Sequence, residues 1–351
     1  MAGEIDKLFV YGTFLQGEIR NHHLDGCHLI QSVEIPGRLY DTGRGYPAAL
    51  FDSDSKETVM GEIYAIGGDV DKKLRELDEI EGMEIGLYKR KSIYNGYHLY
   101  VYETGELLKN FIRSENRINS GNWRRHGSVA LKNPVEFAIR FENSQKQRYG
   151  EPPPADSSGL TFLRGEIPIL VTAPHATRHL RMGKLKYQEE YTGTLSVILH
   201  ALTGSYALYT HWASGVDPNF YDDAPFKSKL LKVVKKFGIG FILDLHGTRR
   251  EWNDDIYPGV GNNREFISGN DFYLYKLQES SESNGLVLGG LHVFPASAQM
   301  TITKFVSRNL EIPAMQIEIN ERLRRPEGNS SEFEKLVKFL TDYIISIKTY
   351  M

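Results

Sequence analysis

A polar, proline-rich interruption divides this chain into two segments with different patterns. Gln145 to Gly159 is poor in apolar side chains and carries Pro152-Pro153-Pro154 and Ser157-Ser158-Gly159. Proline lacks the amide donor that helices and ladders need, so the stretch reads as a linker or long loop. The chain has 351 residues, more than one hydrophobic core usually organises, which makes two domains the natural reading. The expected division is a domain over 1–127, a boundary region over 128–160 and a second domain over 161–351. Pro134 to Asn143 is assignable to either side.

The first domain reads as strand-rich. Leu8 to Tyr11 is a short apolar strand running into Gly12-Thr13, and Val59 to Ile66 and His98 to Tyr102 have the β-branched and aromatic content of strands. Leu74, Leu77 and Ile80 recur at helical spacing, and Gly82 follows as a stop. Beyond residue 160, strands alternate with helices. Ile167 to Thr172, Phe241 to Leu243 and Ala314 to Ile319 are apolar strands; Glu189 to Leu202 and Pro225 to Phe237 have amphipathic helical spacing. Ser331 and Glu334 have capping-box spacing for a last helix. This alternation predicts an α/β domain with a mostly parallel sheet and helices on both faces. Ligands then bind beyond the carboxyl ends of the strands.

Three motifs carry the chemistry of the first domain: Leu8-Phe9-Val10-Tyr11-Gly12-Thr13-Phe14 with Gly17 and Asn21, Leu77-Asp78-Glu79-Ile80-Glu81-Gly82 leading into Leu87-Tyr88-Lys89-Arg90, and Ser120-Gly121-Asn122-Trp123. Together they resemble the gamma-glutamylcyclotransferases. The resemblance implies an α+β fold built on a small β-barrel and a metal-free reaction that releases 5-oxoproline from γ-glutamyl amides. It also implies that Glu81 is the general acid–base, that Tyr11, Gly12, Thr13 and Phe14 line the substrate and offer backbone donors, and that Tyr88 lines the same site. Asp78 and Glu79 are expected on the helix surface.

The second domain has the residue types of a metal hydrolase at strand ends: Pro174-His175, Asp244-Leu245-His246-Gly247, the acidic pair Glu189-Glu190, and Glu318 within Met315 to Asn320. A catalytic zinc takes about three histidine or carboxylate ligands and keeps a fourth position open, a need that two histidines and a glutamate meet. Pro-His, Asp-x-His-Gly and Gln-x-Glu-x-Asn resemble the N-formylglutamate amidohydrolases, relatives of the zinc carboxypeptidases. That resemblance implies one zinc ion held by His175, His246 and Glu189, with Glu190 the competing ligand, and Glu318 as general base. It also implies that Asp244 orients His246, that Asp217-Pro218-Asn219 shapes the pocket, and that an arginine grips a substrate carboxylate. The candidates are Arg178, Arg249, Arg250 and Arg308, and the sequence does not choose among them. Ala176-Thr177-Arg178-His179 departs from the common pattern and leaves the substrate open; His179 is a further candidate contact.

A formal net charge of −3 argues against a nucleic-acid binder that works by phosphate neutralisation. The short basic clusters at Arg124-Arg125 and at Arg322, Arg324 and Arg325 read as solvated faces or local anion sites. No run reaches the roughly 20 apolar residues of a membrane span, and the first residues lack a signal-peptide pattern. Cys27, the single cysteine, is expected to be a plain small residue in a reducing, cytoplasmic setting. The expectation is a bifunctional enzyme acting on small-molecule or short-peptide glutamyl amides, with no nucleic-acid or membrane partner. The alternative is a zinc peptidase or amidase with a non-catalytic N-terminal binding module.

Overall fold

The computed structural model describes residues 5–155 and 157–350 and divides into two compact units, 1–132 and 133–351. In the first unit, strands β1 (Lys7–Val10), β2 (His28–Asp41), β3 (Pro47–Phe51), β4 (Thr58–Ala65), β5 (Tyr88–Tyr94) and β6 (His98–Thr104) form one sheet in the order β3-β2-β4-β1-β6-β5. β1 pairs in parallel with β6 and antiparallel with β4. The sheet curls until β3 lies against β6, where the Thr104 hydroxyl donates to the Ala49 carbonyl at 2.7 Å. Inside the curl Leu8, Phe9, Leu39, Ala48, Ile63 and Val101 are buried.

Helix α1 (Val70–Ile80) follows the predicted periodicity: Leu74 and Leu77 are buried, Asp69 caps the first turn, and Gly82 ends the helix at φ 61°. Asp78 differs from the expected surface role. Its carboxylate accepts from Arg90 at 2.8 and 3.0 Å and from the Tyr102 hydroxyl at 2.8 Å, tying the helix to β5 and β6. Arg124 likewise is not a solvated charge, since it donates to the buried carboxylate of Glu62 at 2.7 Å. A short helix, α2 (Val129–Lys132), ends the unit.

The second unit begins with α3 (Pro134–Lys146), inside the stretch expected as a linker. Asn133 caps it, Pro134 occupies the first turn, and Phe137 and Phe141 are buried. Two buried aromatic residues one turn apart give this segment its own reason to fold. The central sheet contains β7 (Leu160–Leu163), β8 (Ile169–Ala173), β11 (Tyr206–Thr210), β12 (Phe241–Thr248), β13 (Ile256–Gly259) and β14 (Ala314–Asn320). Its order is β13-β14-β12-β8-β11-β7. The four inner strands run parallel and the two edge strands antiparallel. A separate hairpin pairs β9 (His179–Arg181) with β10 (Lys184–Lys186).

Helices cover both faces, as the strand–helix alternation predicts. Leu170, Leu208 and Ile242 share one cluster with Phe226 and Leu230 of α5 (Pro225–Phe237) and with Ile302 and Phe305 of α7 (Ile302–Leu310). On the other face Phe241 packs on Tyr273 of α6 (Phe272–Asn284) and Tyr343 of α9 (Ser330–Lys348). Two further helices are α4 (Thr192–Thr203) and α8 (Glu321–Arg324).

Some expected details differ. α4 starts at Thr192 rather than Glu189, because Tyr191 is held at φ 69°, outside the helical region. The capping box of Ser331 and Glu334 is not formed; Asn329 is the capping position, and Ser331 bonds to its side chain. Arg324 is buried and donates to the carbonyls of Ile319, Thr248 and Glu190, so it is not part of a solvated basic face. No helix among the described residues is long and apolar enough to cross a membrane.

Candidate active sites

In the first unit, the end of β1, the loop after it and the end of α1 meet around a pocket. Phe9, Val10, Tyr11, Gly12, Thr13, Phe14, Arg20, Tyr46, Pro47, Glu81, Tyr88 and Tyr102 line it. The structure thus brings together every residue the sequence assigned to this site. Glu81 is 6% exposed, placed by the last turn of α1, with its amide donating to the Leu77 carbonyl at 2.9 Å. Burial pushes its carboxyl up to about 7, and the Arg20 guanidinium offsets part of that rise. A carboxyl poised near neutrality can both accept and return a proton.

Two tyrosines build the wall. The Tyr11 hydroxyl donates to the Tyr102 carbonyl at 2.5 Å, and the Tyr88 hydroxyl donates to the Pro47 carbonyl. Gly12 is required by packing: a Cβ there would lie 2.8 Å from Cγ of Pro47. The loop is pinned by Asn21, whose side-chain amide donates to the Phe14 carbonyl at 2.7 Å. Arg20 was not anticipated, and the only sequence signal for it is its place between Gly17 and Asn21.

In the second unit, His175 follows β8, His246 lies near the end of β12, and Glu189 sits on the turn before α4. Glu189 Oε1 is 2.9 Å from Nδ1 of His175, and Oε2 is 3.0 Å from Nδ1 of His246. The ligand atoms of the three residues lie within 4.8 Å of one another. The far side of each ring meets a buried carboxylate: His175 Nε2 lies 2.9 Å from Asp217, and His246 Nε2 lies 3.0 Å from Asp244. Each ring thus has a carboxylate at both nitrogens, which a doubly protonated imidazolium satisfies, or a cation held between Nδ1 and Glu189 with the Nε2 proton donated to the aspartate. Asp244 is itself fixed by the Thr172 hydroxyl at 2.6 Å, and Asp217 by Arg181. Burial lowers the Glu189 carboxyl's tendency to ionise, but the two imidazoles beside it outweigh this and hold it well below the ordinary range. Burial disfavours the charged form of both rings, yet Glu189 and the two aspartates leave both pKa values raised. Two imidazole nitrogens and a carboxylate converging within a ring of buried aspartates form a donor set that suits zinc.

Glu190, the other half of the acidic pair, lines the same cleft but is outside this cluster and pairs with Arg325 at 3.0 Å. Glu318 is the cross-strand neighbour of His246 in the β12–β14 ladder, and Gln316 donates to it at 3.1 Å. Burial raises the Glu318 carboxyl above its ordinary value, with His246 pulling the other way. His179 stacks on His175 with ring centroids 4.1 Å apart and reaches Asp217 at 3.4 Å.

The arginines sort differently from the expectation. Arg249 lines the cleft over the cluster but its side chain is 84% exposed. Arg178 donates to Gln188 and lies over the Tyr187 ring. Arg250 and Arg308 are exposed and do not line the cleft. Arg181, Arg324 and Arg325 do line it; their positions follow from the hairpin and from α8, which periodicity does not locate.

Residues 8–125 match the family described as Gamma-glutamyl cyclotransferase, AIG2-like. Over 77 residues the chain is 37% identical to the gamma-L-glutamyl-butirosin B gamma-glutamyl cyclotransferase of Niallia circulans, covering 22% of this chain and 47% of that protein. The chain thus spans about half the length of that relative. A putative gamma-glutamylcyclotransferase of Halalkalibacterium halodurans is 35% identical over 82 residues, 22% of this chain and 69% of that protein. Among solved structures, N-formylglutamate amidohydrolase from Ralstonia eutropha is similar over 54% of this chain and 97% of its own, at 12% identity and a TM-score of 0.39. Through residues 8–125, the chain belongs to the gamma-glutamyl cyclotransferase, AIG2-like family.

Proposed function

We propose that the chain carries two activities on glutamate-derived amides: a cyclotransferase in the first unit and a zinc-dependent amidohydrolase in the second. The observation that carries the first is the buried Glu81 carboxyl, raised to about 7, in a pocket walled by the Tyr11–Phe14 loop. A γ-glutamyl amide bound there places its α-amine near Glu81. The amine nitrogen attacks the γ-carbonyl carbon as Glu81 takes one amine proton. The tetrahedral oxyanion is received by backbone N–H groups of the Gly12–Thr13 turn. The bond to the leaving amine then breaks, Glu81 returns the proton to that amine, and 5-oxoproline remains. Arg20, the cation among the lining residues, receives the substrate carboxylate.

In the second unit, His175, Glu189 and His246 would hold the zinc, and Asp217 and Asp244 keep the two rings in the tautomer that binds it. When bound, zinc supplies Lewis acidity and activates water. Glu318, beside His246, takes a proton from the attacking water and delivers it to the departing amine. The cationic groups lining the cleft, Arg181 and Arg249 among them, suit a carboxylate-bearing substrate.

The test is product analysis with the full chain. γ-Glutamyl amides should yield 5-oxoproline with wild type and not with Glu81→Gln. N-acylglutamates and γ-glutamyl peptides should be hydrolysed with wild type and not with Glu318→Gln. Absence of product from every glutamyl amide with wild type refutes both assignments.

A further inference from the structure

We propose that Glu142, in α3, is a positioning residue for the metal-binding carboxylate Glu189. The inference rests on reading His175, Glu189 and His246 as a metal site. It assigns a task to a helix that lies outside the strand–helix alternation of the second unit.

Glu142 is 2% exposed, a place where an ionisable side chain persists only if its oxygens are fully engaged. Both are. The Tyr149 hydroxyl and the Tyr191 backbone amide both donate to Oε1, the amide at 2.7 Å, and the Thr194 hydroxyl donates to Oε2. Tyr191 is the capping position of α4, and its own side chain makes no cap. Glu142 therefore does from a distance what the Glu or Gln of a capping box does locally: it accepts from the backbone amide of the capping residue at the helix start.

The turn it holds is the one that presents Glu189. Tyr191 sits at φ 69°, a conformation unfavourable for a bulky side chain, so something must enforce it. Glu142 grips the turn from α3, and Arg324 grips it from α8 through the Glu190 carbonyl. Two residues upstream, Glu189 is fixed at its amide by the His175 carbonyl at 2.8 Å and at its own carbonyl by the Thr192 hydroxyl at 2.7 Å. Release of the Tyr191 amide lets φ relax, and the Glu189 carboxylate then swings away from the point where the two Nδ1 atoms converge. The side chain of Tyr191 anchors to Glu327, so the backbone amide is the element that Glu142 alone controls.

The experiment uses the full chain with Glu142→Ala, Glu142→Leu, Glu142→Gln and a control, Val233→Ala in α5 on the other face of the sheet. Leu keeps the volume without an acceptor, which guards against failure of the Ala variant to fold. Zinc affinity is measured by competition with a chelator, and the visible spectrum is recorded after cobalt substitution. The expected result is a loss of zinc affinity of at least roughly tenfold in the Ala and Leu variants, the scale of outer-sphere effects, with an altered cobalt spectrum. Gln, whose carbonyl still accepts from Tyr191, restores most of both, and Val233→Ala leaves both unchanged. If Glu142→Leu binds zinc like wild type with the same cobalt spectrum, the positioning role is overturned while the metal site stands. If wild type binds neither metal, the metal reading itself fails and takes this proposal with it.

Discussion

Glu189 and Glu190 are adjacent in the chain, but their carboxylates enter different environments. Glu189 lies between the Nδ1 atoms of His175 and His246, at 2.9 and 3.0 Å, while Glu190 pairs with Arg325 at 3.0 Å. The separation arises because the turn between β10 and α4 is held by Glu142 and Arg324. It predicts opposite outcomes for two near-identical substitutions. Wild type should contain about one zinc per chain. Glu189→Gln and His246→Ala should lose it on dialysis, and Glu190→Gln should retain it, as read by metal analysis of the purified proteins.

Glu318 is expected to act on the reaction without holding the metal. Glu318→Gln preserves the shape of the strand and the contact with Gln316, so zinc content should be unchanged. Hydrolysis of N-acylglutamates or γ-glutamyl peptides should fall by about two to four orders of magnitude, the usual worth of a general base. Steady-state kinetics on the zinc-loaded variant separates this from loss of metal.

Glu81 should impose a pH dependence on the first unit. Its carboxyl must be ionised to take the amine proton, and burial places its pKa at about 7. The acid limb of kcat/KM for 5-oxoproline release should therefore rise through about pH 7 rather than the range of an ordinary glutamate. Glu81→Gln should lower the rate about a hundredfold or more and abolish that limb.

The same raised pKa has a stability sign. The unfolded chain gives up this proton from about pH 4.5 upward, whereas the folded unit holds it until about 7. The folded state binds more protons in that window, so stability contributed by Glu81 falls as pH climbs through it. The cost at pH 8 is on the order of 3 kcal/mol, the shift of about 2.5 pKa units at about 1.4 kcal/mol each. Glu81→Gln should raise the melting temperature of the first unit at pH 8 and change it little at pH 4.5, as followed by calorimetry.

Gly12 tests the packing of the substrate loop. A Cβ at this position would sit 2.8 Å from Pro47, itself part of the pocket wall. Gly12→Ala should destabilise the first unit by about 1–3 kcal/mol, as overpacking does. It should also lower 5-oxoproline release more than it lowers stability, because the loop that receives the oxyanion has to move.

Local pattern was enough to determine much of this protein. Pro225 and Gly238 bracket α5 at its observed ends, since proline fits the first helical turn and glycine adopts the left-handed exit. The Tyr-Gly-Thr-Phe loop and Glu81 were singled out by the resemblance to the gamma-glutamylcyclotransferases, and both line one pocket. Tertiary structure decided which of two adjacent glutamates faces the histidines. It also decided that Asp217 meets the His175 ring, that Arg324 is buried rather than solvated, and that α3 belongs to the second unit. Periodicity reports which face of one element is apolar. It does not report the direction of a side chain on a turn, which here depends on a positive φ at Tyr191 enforced by a carboxylate 49 residues away in sequence.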